Sequence, residues 1–162
     1  MHALAKKFMM ARKLDFGEKG TANLLDDQVF LMDGGMLTAL EQESGSDAAY
    51  AVGQAAGRSL SDNIKETGVT GTKFNEFMMD LLTMMGLGDF AVHDFDITTK
   101  EGEVRVENCL PGREGEAGGC NVVAGVLAGV FGENYDTAFE VEEVGCTLDG
   151  DDLCQFKVQS SA

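Results

Sequence analysis

Four cysteines lie in the last third of the chain, and their placement in the local hydrophobic pattern constrains the fold more than any other feature. Cys120 begins an apolar helical pattern, Cys146 ends a predicted strand, and Cys154 begins the next one. An antiparallel hairpin that turns at residues 149–152 would bring the last two sulfurs together. The pattern therefore predicts a compact unit in which a helix start and a hairpin share one site.

A tetrahedral metal site follows from this arrangement. A helix N-terminus favours the thiolate form of Cys120, which is the form that binds metal. Glu143 can add an oxygen only if the strand kinks before Cys146, and Gly145 is the expected position of that kink. Three sulfurs and one oxygen fit Zn²⁺ and leave no open position. The sequence thus predicts a structural zinc held by Cys120, Glu143, Cys146 and Cys154.

The fourth cysteine, Cys109, has no place in this ligand set. We expect it to be a buried or partly exposed free thiol, and the alternative is a swapped or redox-active ligand. A disulfide among the ligand cysteines would require an oxidising compartment. We expect a cytoplasmic protein with reduced thiols, because the chain has no run of about 18 apolar residues and no apolar leader segment at its start.

The remaining chain alternates between helical and strand patterns. Helices are predicted over 36–43, from 46 through 64, from 72 to the glycines at 86–88, and over 120–131. Strands are predicted within 23–33 and over 89–98, 103–108, 138–146 and 153–158. This order indicates a single α+β domain, residues 1–162, with a mainly antiparallel sheet packed against helices.

The second predicted helix carries Gly53 and Gly57 on one face. A phosphate-binding loop would need four residues between the glycines and then Lys, whereas here there are three, followed by Arg58. We therefore interpret these glycines as a site of close packing against another element.

The third predicted helix has the strongest amphipathic stripe, formed by Phe74, Phe77, Met78, Leu81, Leu82 and Met85. Such a stripe is typical of a core, and a methionine-rich wall also suits an adaptable ligand pocket. As a candidate hydrophobic pocket we take Phe74, Phe77, Met78, Leu81, Val126 and Leu127.

The charge of the chain argues against nucleic acid and membrane surfaces as partners. The chain contains 12 Lys plus Arg against 28 Asp plus Glu, a formal charge of −16, and residues 1–20 form its one basic segment. We expect that segment to dock on the protein's own acidic body. His2 and His93 are the only histidines, and neither accompanies a recognisable nucleophile motif.

Two segments of the chain resemble the 4-vinyl reductase domain family. Residues 120–129 read CNVVAGVLAG, and residues 141–156 read VEEVGCTLDGDDLCQF. The family pattern is a Cys before a helix of small residues, then V-x-E-x-x-C, a short glycine-containing turn and C-x-F. The similarity is specific within the motif core, 104–158, and loose over the N-terminal part of the chain.

The resemblance implies a fold shared with hydrocarbon-sensing domains of bacterial transcription activators and, more remotely, with TRAPP-like vesicle-tethering subunits. It also implies zinc on three Cys and one Glu, with a small apolar ligand enclosed between helices and sheet. No ATPase or DNA-binding module accompanies the motif here, so any output is expected to pass through a homodimer or another protein.

Our hypothesis is therefore a zinc-containing hydrophobic-ligand sensor rather than an enzyme. The alternatives are a tetrapyrrole-pathway accessory protein or reductase, although the chain has no G-x-G-x-x-G motif after a strand, and a scaffold of the tethering type.

Overall fold

The computed structural model describes residues 14–16, 22–24, 27–29, 34–65, 68–111 and 120–161. The chain forms two compact units, 1–33 and 34–162. In the first unit, three short antiparallel strands have the order β1-β2-β3: β1 (Leu14–Phe16), β2 (Ala22–Leu24) and β3 (Asp27–Val29). The strand predicted within 23–33 falls partly on β2 and β3, and its end at 30–33 lies outside the described residues, as does most of the basic segment 1–20. The single domain over 1–162 stays a prediction.

Within its described residues, the second unit contains four helices of 11 or more residues: α1 (Gly34–Ser44), α2 (Ser46–Lys65), α3 (Thr72–Met84) and α4 (Asn121–Tyr135). Gly45 separates the first two with φ of +80°, a backbone conformation that glycine adopts at little cost. Helix α4 starts one residue after Cys120, as its sequence pattern predicts. No helix in the described ranges is both long enough and apolar enough to cross a bilayer.

The sheet of this unit has four antiparallel strands in the order β4-β5-β7-β6. They are β4 (Asp89–Asp96), β5 (Glu101–Glu107), β6 (Phe139–Gly145) and β7 (Cys154–Ser160). Val104 pairs with Phe156 and Val106 with Cys154, and all four are buried. The predicted α+β class with a mainly antiparallel sheet is confirmed.

Glycines let α2 and α4 approach each other at backbone distance. A Cβ atom added to Gly53 would lie 2.1 Å from the Val122 carbonyl oxygen, and one added to Gly57 would lie 2.2 Å from that of Val126. Gly125 makes the reciprocal contact from α4 to α2: a Cβ atom added to Gly125 would lie 2.1 Å from the Tyr50 carbonyl oxygen. The packing interpretation of Gly53 and Gly57 is confirmed, and the contact holds α4 in a fixed position.

An aromatic cluster fills the space at the other end of α4. The Phe95 ring on β4 lies 5.1 Å from Phe131 and 5.3 Å from Tyr135, centroid to centroid, and Phe131 lies 5.7 Å from Phe139. These are ordinary distances for favourable aromatic pairs. The cluster ties the edge strand β4 to α4 and to β6.

Candidate metal centre

The donor atoms of Cys120, Glu143, Cys146 and Cys154 all lie within 4.8 Å of one another. Cys120 occupies the position before α4, Glu143 lies on β6, and Cys154 is the first residue of β7. The three cysteines are at most 3% exposed. Cys120, more than 20 positions before the other three residues, thus joins them in one largely buried cluster, and metal binding by it stays a prediction.

A bulge in β6 explains how Glu143 joins this cluster. Glu143 pairs with Phe156, but Gly145 pairs with the adjacent Gln155, so the register shifts between them. Val144 is the extra residue, and it is 54% exposed. On a regular strand, positions 143 and 146 would face opposite ways, and the bulge removes that conflict. The predicted kink is present.

The loop after β6 holds Cys146 through its backbone. The Cys146 carbonyl accepts hydrogen bonds from the N–H groups of Asp149, at 3.0 Å, and Asp151, at 3.2 Å. The Cys146 N–H donates to Asp151 Oδ2 at 2.9 Å. Gly150 closes the turn with φ of +101°. Asp151 therefore positions a predicted ligand, a role that its place in the D-G-D-D turn did not reveal.

Two of the sulfur–sulfur distances are close to those expected of a tetrahedral zinc site. Cys120 Sγ lies 3.8 Å from Cys154 Sγ, which lies 4.0 Å from Cys146 Sγ. Metal–sulfur bonds of about 2.3 Å at the tetrahedral angle place neighbouring sulfurs about 3.8 Å apart. No disulfide joins any of the four cysteines. The cluster thus has the spacing of a cation site rather than that of a disulfide, whose S–S bond is about 2.05 Å.

The hydrogen bonding of the Glu143 carboxylate indicates that a cation fits this donor set. Its Oε2 accepts a 2.7 Å hydrogen bond from the Cys120 N–H, whereas its Oε1 is buried and has no hydrogen-bond partner. Burying an unpaired carboxylate oxygen is costly. A divalent cation bonded to Oε1 and to the three sulfurs would remove that cost.

Burial and mutual hydrogen bonds shift the pKa values of the ionisable groups in the cluster. Hydrogen bonds with the thiols of Cys109 and Cys154 raise the pKa of Cys120 strongly, and burial raises the pKa of Cys146 to about 12. Burial also raises the pKa of Glu143. Hydrogen bonds from the Cys109 and Cys120 thiols hold the pKa of Cys154 far below its usual range.

Cys109 lies beside this cluster, although no part of the motif pointed to it. It is fully buried, and its Sγ lies 3.5 Å from Cys120 Sγ. Cys109 is buried, as one of the expectations had it, and it forms no disulfide. What the sequence missed is its contact with a candidate ligand, which arises from the sheet register rather than from local spacing.

Glu41 is a second residue that the sequence did not single out. Its Oε1 accepts a 2.7 Å hydrogen bond from the Val122 N–H in the first turn of α4. Glu41 and Glu143 together thus satisfy two N–H groups at this helix start, where the helix dipole favours negative charge.

A groove of about 360 Å³ runs between α3 and the edge strand β4. Its apolar lining is Met79, Phe90, Ala91, Val92 and Phe95, and its polar lining is Thr72, Asn75, Glu76 and Asp80. A second, wider groove of about 850 Å³ lies along β6 and includes Tyr50, Phe139 and Glu143.

Neither groove is lined by the six predicted pocket residues. Phe74, Met78, Leu81, Val126 and Leu127 are buried, and Phe77 is partly exposed. Most of the stripe on α3 therefore packs as core, whereas Met85 at the helix end is 48% exposed, and the role of the stripe as a ligand wall stays a prediction.

No protein-family model matches the sequence, and a comparison with curated proteins finds no relative. Solved structures do match. The chain is similar to the phenol-responsive sensory domain of the transcription activator PoxR bound to phenol, with a TM-score of 0.80 and 19% identity over 99% of this chain and 92% of that one.

Two further structures are similar. One is a vinyl-4-reductase family protein from Methanocaldococcus jannaschii, with a TM-score of 0.58 and 22% identity over 79% of this chain and 77% of that one. The other is a trafficking protein particle complex subunit 3 from Naegleria fowleri, covalently bound to palmitic acid, with a TM-score of 0.57 and 16% identity over 80% of this chain and 91% of that one. The resemblance drawn from the cysteine motif is thus confirmed at the level of the fold.

Proposed function

We propose that this protein is a zinc-containing module that binds a small hydrophobic molecule and passes the binding event to a protein partner. The convergence of three buried sulfurs and the unpaired Glu143 Oε1 on one point carries the metal part of the proposal. Zinc would be held by Cys120, Glu143, Cys146 and Cys154. With four protein ligands its role is to brace the structure.

The groove between α3 and β4 is the proposed ligand site. Phe90, Phe95 and Met79 give it an apolar lining, and Asn75 offers an amide at one side. Its volume of about 360 Å³ falls within the range of small-molecule pockets. A small aromatic molecule with one hydrogen-bonding group suits this lining. Proteins of the same fold hold phenol in one case and palmitic acid in another, which supports an apolar ligand.

Helix α4 provides a physical link between the metal centre and this groove. It begins beside Cys120, and near its other end Phe131 and Tyr135 contact the Phe95 ring, which lines the groove. A ligand that prefers one arrangement of Phe95 shifts the balance between arrangements of β4 relative to α4. The zinc fixes the opposite end of α4, so the change is directed to the surface around β4.

Thermal unfolding of the zinc-loaded protein with phenol as the probe tests the ligand site. Phenol is expected to raise the melting temperature of the wild type, because binding to the native state alone stabilises it. Ala91→Arg places a long charged side chain at an exposed groove position and should abolish the shift. Ala55→Arg, on the exposed face of α2, is the matched control and should keep it.

The proposal of a hydrophobic ligand is wrong if neither phenol nor a medium-chain fatty acid shifts the wild-type melting temperature. A shift that persists in Ala91→Arg would contradict the groove as its location. Sedimentation of the Ala55→Arg control and of the wild type, each with and without probe, measures whether binding changes self-association.

A further inference from the structure

A fourth sulfur adjoins the candidate metal centre. Cys109 Sγ lies 3.5 Å from Cys120 Sγ, which in turn lies 3.8 Å from Cys154 Sγ. The first spacing is close to the roughly 3.8 Å between sulfurs that share a tetrahedral cation. Cys109 therefore directly contacts one sulfur of the predicted ligand set.

The sheet fixes Cys109 in this position. It follows β5, whose Val106 pairs with Cys154 on β7, and Asn108 turns the chain with φ of +53°. The next residue, Leu110, donates its N–H to the Leu87 carbonyl at 2.9 Å. Both sides of Cys109 are thus anchored, so its position beside the cluster is a consequence of strand register.

We propose that Cys109 is a reserve ligand, and that the centre binds a large thiophilic cation through four thiolates, with Cys109 in place of Glu143. This inference rests on the proposed zinc site. A thiolate is a softer ligand than a carboxylate, so the exchange favours a softer cation than Zn²⁺. One monoanionic ligand replaces another, and the net charge of the loaded centre does not change.

The exchange has a defined course. The Cys109 thiol would give up its proton and bond to the cation through its sulfur. Glu143 would leave the cation, take up that proton on its carboxylate and keep the hydrogen bond that its Oε2 accepts from the Cys120 N–H. Cys120, Cys146 and Cys154 remain bound throughout.

X-ray absorption of the protein loaded with either Zn²⁺ or Cd²⁺ counts the sulfur and oxygen neighbours of each metal. The wild type is expected to show three sulfurs and one oxygen around Zn²⁺ but four sulfurs around Cd²⁺. In Cys109→Ser, Cd²⁺ should have three sulfurs and one oxygen, as Zn²⁺ has. We expect the same variant to weaken Cd²⁺ binding roughly tenfold or more and Zn²⁺ binding less than about threefold.

Glu143→Gln provides the reciprocal variant, which should weaken Zn²⁺ binding and keep four sulfurs around Cd²⁺. Three sulfurs around Cd²⁺ in the wild type would overturn the role of Cys109, and this result needs no variant to fold. A protein that binds neither metal would overturn the zinc proposal itself. The two failures are therefore distinguishable.

Discussion

Glu41 Oε1 accepts a 2.7 Å hydrogen bond from the backbone N–H of Val122, 81 positions further along the chain. A residue in the last turn of α1 thereby caps the first turn of α4. The neighbouring Cys120 N–H donates its hydrogen bond to Glu143. Two carboxylates from distant elements thus hold the helix start that carries a candidate metal ligand. The geometry of the centre depends on tertiary contacts as well as on its own motif.

Glu41→Ala should lower the free energy of unfolding by about 1 kcal/mol, the usual cost of losing a helix N-terminal cap. Glu41→Gln keeps an oxygen acceptor for the Val122 N–H and should cost less. Urea denaturation of the two variants and the wild type measures the difference. Equal losses in both variants would contradict a capping role.

The comparison with Glu41→Gln also predicts a pH dependence. Burial raises the pKa of Glu41 above its ordinary value of 4.5, so the folded state binds this proton more tightly than the unfolded state does. Relative to Glu41→Gln, the wild type should therefore lose stability as the pH rises from below 4.5 through the raised pKa. Urea denaturation of the metal-free proteins across this range measures the difference in unfolding free energy between the wild type and Glu41→Gln. If the wild type gained stability relative to the variant as the pH rises, the raised pKa of Glu41 would be contradicted.

Gly125→Ala should destabilise the protein by about 3 kcal/mol, at the upper end for an overpacked core. The added methyl would lie 2.1 Å from the Tyr50 carbonyl oxygen, so α2 and α4 must separate. Ser59→Ala, on the exposed face of α2, is the control and should stay within about 0.5 kcal/mol of the wild type. Chemical denaturation measures the unfolding free energy of both variants. If Gly125→Ala lost as little stability as Ser59→Ala, α2 and α4 would have to pack less closely than described.

Asn134 links the end of α4 to the start of α3, and replacing it should lower the free energy of unfolding. Its Nδ2 donates to the Gly71 carbonyl at 2.9 Å and to Asn75 Oδ1 at 2.7 Å, and its Oδ1 accepts from the Gly71 N–H. Asn134→Asp removes both donors and should cost about 2 kcal/mol.

Glu133→Gln is the matched control for that variant. It breaks the partly exposed ion pair with Lys65, and such pairs contribute about 0.5 kcal/mol or less. An Asn134→Asp variant as stable as this control would rule out the amide network as a stabilising contact. The thermal unfolding of both variants decides the point.

Local signals were enough to predict the candidate ligands. Cys120, Cys146 and Cys154 each mark the boundary of an element, and Gly145 marks the kink that brings Glu143 to them. Short-range patterns determine such boundaries. The four donors could therefore be grouped before any long-range contact was known.

The residues that the sequence did not reveal depend on long-range contacts. Glu41 meets α4 across 81 positions, and Cys109 reaches the cluster through the register of β5 with β7. Periodicity likewise identified Phe74 and Met78 as a buried stripe but could not tell a packed core from a pocket wall, because both require the same apolar face.

The metal content of the purified protein tests the central proposal most directly. Elemental analysis after purification without chelators should find one zinc per chain in the wild type. Cys146→Ser should lack zinc and unfold with a free energy lower by several kcal/mol, because a structural metal contributes directly to folding. A wild type free of zinc, or a Cys146→Ser variant with unchanged zinc content and melting temperature, would contradict the proposal.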